Sequence, residues 1–145
     1  MGRTLMFLPI FMSTELWKPI EDLNDRFSIS TYGRIRNNKS GKIRKCKISK
    51  DGYVFITLNH KSKLKTYILH RLVMIAFNPI ENYRLFHVHH KNRNKVDNTV
   101  SNLMWVTNRE NQLLKSENKE TVKLLYEKID VFGEHAVKEL LLTLK

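Results

Sequence analysis

Three features of the chain predict an α+β fold. Apolar and polar side chains alternate with a period of two through residues 27–68. At His70 the period changes to that of a helix. Residues 86–111 then read as strand, long polar loop, strand and helix.

In chain order, the apolar run Thr4–Met12 is too short to span a bilayer, which takes about 20 residues. No small-residue cleavage site follows it. It reads as disorder or as an upstream extension with Met12 the alternative start. Phe27–Ser30 alternates as a strand, Tyr32-Gly33 marks a turn, Arg34–Arg36 resumes the strand and 37–41 is a loop. Residues 42–48 alternate loosely and predict one strand with a basic outer face. Asp51-Gly52 signals a hairpin into a strand over 53–58. A turn at 59–63 leads to a last strand over 64–68. Together these predict one small antiparallel sheet with a cationic face. Leu72, Val73, Ile75, Ala76 and Phe77 fit a short helix that Asn78-Pro79 ends. Residues 119–145 read as a helical tail broken at Gly133.

The chain has 145 residues and a net charge of +12, with a pI near 9.9. Such a field attracts polyanions, of which nucleic acid is the commonest. Residues 27–111 hold seventeen Lys or Arg against four acids, a net +13, so the middle carries the charge. One cysteine, Cys46, excludes an internal disulfide and a cysteine-based zinc cage. We read it as a passive side chain on a strand, in a reducing, cytoplasmic setting.

Chemistry concentrates between Phe86 and Asn111. His87, His89 and His90 fall within four residues, and a loop rich in Asn, Lys and Arg follows. Leu103–Val106 is a short apolar strand. Thr107-Asn-Arg-Glu110 has the capping-box form that starts a helix, with Asn111 in its first turn. A histidine nitrogen and an asparagine oxygen can hold one divalent metal with positions left open for water and phosphate. A neighbouring histidine kept off the metal can take a proton from water near neutral pH. Paired histidines alone are more often surface residues, and a zinc site of His87, His89 and His90 rarely closes a tetrahedron without further ligands.

The stretch Val88-His-His-Lys-Asn-Arg-Asn-Lys-Val-Asp-Asn98, then Asn102-Leu-Met-Trp-Val-Thr107, then Glu110-Asn111 resembles the ββα-metal (His-Me finger) site of HNH homing endonucleases. Upstream, Leu69-His-Arg-Leu-Val73 resembles the helix before that site. Trp17–Ile20 and Phe27–Arg36 resemble the N-terminal motif of the nuclease-associated modular kind. The resemblance covers about residues 15–111. It implies a small antiparallel DNA-binding sheet, a ββα-metal nuclease unit and a short helical tail. The boundaries it suggests are 1–14 for the extension, 15–68 for the DNA-binding region, 69–115 for the nuclease and 116–145 for the tail. It implies His90 as general base, His89 and Asn111 as metal ligands, and Asn102 as a catalytic-site asparagine that braces the loop. Two departures stand out: His89 replaces the usual Asp or Asn, and Lys91-Asn92-Arg93 replaces Ile-Asp-Gly and so removes a turn glycine.

The reading that follows is hydrolysis of a DNA phosphodiester with one divalent ion, Mg²⁺ or Mn²⁺ rather than Zn²⁺, leaving a 5′-phosphate and a 3′-hydroxyl. Double-stranded DNA is the partner and no membrane is involved. A monomer would nick and a homodimer could cut both strands. Arg34, Arg36, Lys42, Arg44, Lys45, Lys47, Arg71, Lys91, Arg93 and Lys95 are the expected DNA contacts. His70 and His87 are read as structural, His60 and His135 as surface residues, Trp17 and Trp105 as core. A DNA-binding regulator with a decayed site, or an RNA-binding protein, are the alternatives.

Overall fold

The computed structural model describes residues 14–115, 120, 122–124 and 127. Residues 1–13 and nearly all of the expected helical tail, with His135, lie outside them. Two sheets replace the single N-terminal one expected, and the expected strand pair of the ββα unit forms a third. The first has four antiparallel strands in chain order: β1 (Trp17–Pro19), β2 (Phe27–Ser30), β3 (Ile35–Asn37) and β4 (Ile43–Arg44). The second is β5 (Lys47–Ile48), β6 (Val54–His60) and β7 (Lys63–Ile68), and the third pairs β8 (His87–His90) with β9 (Leu103–Val106). Helix α1 (Leu69–Phe77) follows β7 directly, and α2 (Asn108–Lys115) follows β9.

The strand expected over 42–48 is divided between two sheets. Arg44 pairs with Ile35 in the first, whereas Lys47 pairs with Phe55 in the second. The physical reason is the lack of a buried face. Ile43 and Ile48 are 49% and 63% exposed, so nothing holds the segment flat in one register. Cys46 therefore lies in the half-buried link rather than on a strand, and burial pushes its thiol pKa up. The β6–β7 hairpin is tighter than expected, with His60 paired to Lys63. Lys61 and Ser62 both take positive φ, which a two-residue turn needs to match the strand twist.

Burial follows the period of two along β6, whereas all four residues of β2 are buried and β7 buries only Tyr67. Val54, Ile56 and Leu58 alternate inward along β6, and Ile29 faces Ile35 across β2 and β3, both fully buried. Helix α1 buries Leu69, His70, Leu72, Val73 and Met74. It lacks a side-chain cap at its start. At its end, Lys18 Nζ from β1 donates to the Ala76 carbonyl at 3.1 Å, where a cation suits the helix dipole. Trp105 is core as expected, and its indole nitrogen donates to the Asn78 carbonyl at 2.7 Å. Trp17 is not core: it is half-buried, with the Arg36 guanidinium 4.3 Å from its ring centre. A three-residue edge strand has too little cover to bury an indole.

The chain divides into two compact units. One runs to Arg84 and takes in Val88–Trp105; the other holds Leu85–His87 and the chain from Val106 on. The expected boundary between 68 and 69 falls inside the first unit. Among the described residues, no helix is long and apolar enough to cross a membrane.

Ile35 is the most stringent test of the first unit's core. Truncation of Ile35→Ala should cost ~2–5 kcal/mol, read as a lowered urea midpoint at unchanged slope. A cost under ~1 kcal/mol would mean that the Ile29–Ile35 contact is not core packing.

Candidate active site

Strand β8 sets the alternation at the site. His87 is exposed, Val88 buried, His89 half-buried and His90 buried at 5% exposure. Adjacent strand residues face opposite ways, so His89 and His90 lie on different faces of the strand. His90 then enters a pocket of rings. The His70 ring meets it edge-on at 5.2 Å between centres, and Tyr53 lies 6.3 Å away. Tyr53 and His70 are themselves edge-on at 5.3 Å.

The imidazole of His90 has a defined proton position. Asn98 Nδ2 donates to the Val96 carbonyl at 3.2 Å, which turns the amide oxygen of Asn98 toward His90. That oxygen can only accept, so His90 Nε2 donates to it at 3.0 Å and carries the proton. The lone pair is left on Nδ1. Asn98 is 3% exposed, so this is a buried bond between two polar groups that would otherwise be costly.

Asn102 ties the loop between β8 and β9 into one knot. Its Oδ1 accepts from the Asn92 backbone at 3.0 Å. Its Nδ2 donates to Asn92 Oδ1 and to the Asp97 carbonyl, each at 2.9 Å. Asn92 Nδ2 in turn donates to Asp97 at 2.8 Å. The Thr99 hydroxyl, 2.6 Å from Asp97, holds that carboxyl below its usual pKa. Arg93 stands where the resembling pattern has glycine and takes the left-handed conformation itself, at φ 62°. Its amide donates to the His90 carbonyl at 2.9 Å, which closes the turn at a backbone cost of ~1–2 kcal/mol.

In α2 the capping box forms as expected. Thr107 Oγ1 accepts from the Glu110 amide at 3.2 Å, and Glu110 Oε2 accepts from the Thr107 amide at 2.8 Å. Asn111 is half-buried in the first turn, its amide donating to the Thr107 carbonyl at 2.9 Å. It belongs to the second unit, whereas His89, His90 and Asn102 belong to the first. Among the described residues, no three His, Cys, Asp or Glu side chains form a group able to hold a metal ion.

The expected DNA contacts differ in what they touch. Lys42, Arg44, Lys45 and Lys47 are exposed along the divided strand segment. Lys91 and Arg93 are exposed on the loop. Arg34 is ion-paired with Glu15, and Arg36 stacks on Trp17. Arg71 is half-buried, donates to the Tyr83 carbonyl at 3.0 Å and lies over the Trp105 ring at 5.4 Å. Lys95 Nζ donates to the Asp51 carbonyl at 2.7 Å and sits 4.4 Å from the Tyr53 ring centre. Arg34, Arg71 and Lys95 thus have internal partners that formal charge does not reveal.

Four residues around His90 carry no signal of the site in the sequence. Asn98 reads as one more polar loop residue, Gly33 as a turn, Tyr53 as a strand residue and His70 as structural. Only the three-dimensional path of the chain gathers them.

Comparison with known proteins bears on this site. The NUMOD4 motif family matches residues 15–59, and the HNH endonuclease family matches residues 67–113. DNA endonuclease I-HmuI of Bacillus phage SP01 is 43% identical over 101 residues, covering 67% of this chain and 57% of its own length. H-N-H endonuclease F-TflII of Escherichia phage T5 is 29% identical over 103 residues, covering 70% and 53%. Little more than half the length of these phage relatives is therefore spanned by the chain. A solved structure of DNA binding and cleavage by the HNH homing endonuclease I-HmuI superposes with a TM-score of 0.62 at 36% identity. That match covers 79% of this chain and 68% of the other.

His70 makes the site sensitive to acid. Burial first, then the nearby His90 and Arg71, pushes its imidazole down from 6.5 to about 3. Its Nδ1 is buried, without a hydrogen-bond partner among the described residues. Below pH 6.5 the unfolded chain gains a proton there that the folded chain refuses. This contribution is therefore complete above pH 6.5 and is lost as pH falls toward 3, at up to ~1.4 kcal/mol per unit. In His70→Phe the pH dependence of unfolding should flatten over that window. Parallel curves for the two proteins would show that His70 is not held neutral.

Proposed function

The chain belongs to the HNH homing endonuclease family, and from that premise we propose that it hydrolyses phosphodiester bonds of double-stranded DNA, with His90 as general base. The observation that carries this reading is the bond from His90 Nε2 to Asn98 Oδ1. It fixes the tautomer in which Nδ1 holds a lone pair able to take a proton from an attacking water. Asn102 serves the reaction by bracing the loop that supplies Asn98, through Asn92 and the Asp97 carbonyl.

His89 and Asn111 are the proposed ligands of one divalent ion. Their chemistry fits such an ion, since an imidazole nitrogen and an amide oxygen are both metal donors. When bound, the ion stabilises the charge that develops on the phosphate and the leaving 3′ oxygen. Two protein donors would leave the remaining positions of such an ion to water and phosphate oxygens. The exposed Lys42, Arg44, Lys45 and Lys47 then serve as phosphate contacts, with Lys91 and Arg93 beside the base.

Cleavage of supercoiled plasmid carrying the DNA that flanks the gene tests the reaction. His90→Ala should lower the nicking rate by about 10²–10⁴-fold while DNA binding survives. EDTA should abolish nicking by the wild type. DNA binding without nicking in Mg²⁺ or Mn²⁺ would sink the enzyme reading and leave a DNA-binding regulator. The assignment of the phosphate-binding cations has its own test. Replacing Lys42, Arg44, Lys45 and Lys47 by Ala should reduce the slope of log affinity against log salt, by about 0.9 for each phosphate no longer neutralised. An unchanged slope would move phosphate binding to other cations.

A further inference from the structure

The turn that joins β2 to β3 packs against the loop that holds His90. Gly33 sits in this turn, buried, with φ 73°. A Cβ added there would stand 2.9 Å from Asn98 Cβ, 3.0 Å from the Asn98 carbonyl oxygen and 3.4 Å from its carbon. Two of these are backbone atoms, which cannot swing aside as the end of a long side chain can. Both partners are also pinned. The Gly33 amide donates to the Ser30 carbonyl at 2.9 Å, and the fully buried Ser30 accepts the Arg34 amide on its hydroxyl at 3.0 Å. On the other side, the Val100 amide donates to the Thr31 carbonyl at 2.8 Å, two residues beyond Asn98.

We propose that Gly33 is a positioning residue for the general base: its missing side chain lets Asn98 come close enough to hold the His90 imidazole. The inference rests on the reading of His90 as base. It gives the N-terminal motif a role in cleavage that is separate from binding DNA. Any Cβ at position 33 displaces the Asn98 backbone by a few tenths of an ångström or more. The His90–Asn98 bond is 3.0 Å long, and at 3.6 Å it would no longer be a hydrogen bond. The imidazole would then lose its orientation and the Nε2–H tautomer its preference, while the exposed cations that meet phosphate stay in place.

Gly41 supplies the control. It has nearly the same backbone conformation, φ 69°, but nothing lies within 4 Å of the position its Cβ would take. Gly33→Ala and Gly41→Ala thus share the left-handed strain and differ in the contact with Asn98. The measurements are single-turnover nicking rate and DNA Kd for the full chain, with Asn98→Ala, His90→Ala and the Gly33→Ala/Asn98→Ala double variant alongside. The expected result is that Gly33→Ala nicks at least tenfold more slowly than Gly41→Ala, with Kd values within about threefold of wild type. In the Asn98→Ala background, where the bond is already absent, Gly33→Ala should slow nicking less than twofold further. Equal rates for the two glycine variants would overturn the proposal, as would a full further loss in the double variant, or a fall in rate matched by a fall in DNA affinity. If Gly33→Ala does not fold, adding Asn98→Gly, which removes the 2.9 Å contact though not the one with the carbonyl, should regain part of the lost stability relative to Asn98→Gly alone, and a cost of Gly33→Ala that is equal in both backgrounds overturns the Asn98 Cβ contact as the cause. His90→Ala separates the two layers. Wild-type nicking by that variant defeats the base assignment itself. An inactive His90→Ala with Gly33→Ala equal to Gly41→Ala defeats only the positioning role.

Discussion

The hydrogen bond between His90 and Asn98 is the interaction on which the rest of the site depends. Both residues are buried polar groups, and each would destabilise the fold by about 1–3 kcal/mol if left unpaired. Each end of the bond is fixed by a different part of the chain. Strand β8 and the rings of Tyr53 and His70 set the imidazole. Asn102, through Asn92 and the Asp97 carbonyl, sets the loop that presents Asn98. Such a network is robust only when every member is satisfied, which explains why a loop exposed along most of its length carries so many internal hydrogen bonds.

The electrostatics follow from which cations are already engaged. Formal charge makes the middle of the chain strongly basic, yet its cations are not equivalent. Arg34 is paired with Glu15, Arg71 stacks on Tyr83 and Trp105, and Lys95 closes onto the Asp51 carbonyl. Burial lowers the pKa of Arg71, the sign expected of a cation taken partly out of water. Lys42, Arg44, Lys45 and Lys47 instead sit on the segment that no buried face organises. The proposed phosphate contacts therefore lie where packing places no demand on the side chains.

Legibility in the sequence tracks how local the physics is. The capping box at Thr107–Glu110, the helix stop at Asn78-Pro79 and the Asp51-Gly52 turn are set by neighbours within a few residues, and each is readable. Alternation reveals β2, β3 and β6 because each has a buried face. It fails over 42–48, where loose alternation carries no burial, so one strand is expected where two short strands serve different sheets. Trp17 misleads because hydrophobicity alone does not tell a strand in the middle of a sheet from one at its edge. Asn98 is indistinguishable from the other loop asparagines, since its role comes from Gly33 and His90, sixty-five and eight residues away in sequence. The missing turn glycine at 93 is visible in the sequence. That Arg93 adopts the glycine-like conformation itself is not, because the surrounding hydrogen bonds decide it.

The two motifs are therefore better regarded as one piece than as a DNA-binding module joined to a nuclease. Contacts that cross between them within the first unit include Gly33 on Asn98, the Thr31 carbonyl with the Val100 amide, and Lys95 with both Asp51 and Tyr53. Each reaches the loop that carries Asn98 or the ring cluster around His90. The Lys95 contact is made by an exposed, flexible side chain, but the other two are backbone to backbone or backbone to Cβ, where a shift of half an ångström is already large. A chain built this way cannot change the β2–β3 turn without also changing the surroundings of His90. The surroundings of His90 are thus set partly by residues some sixty positions upstream, within one shared unit.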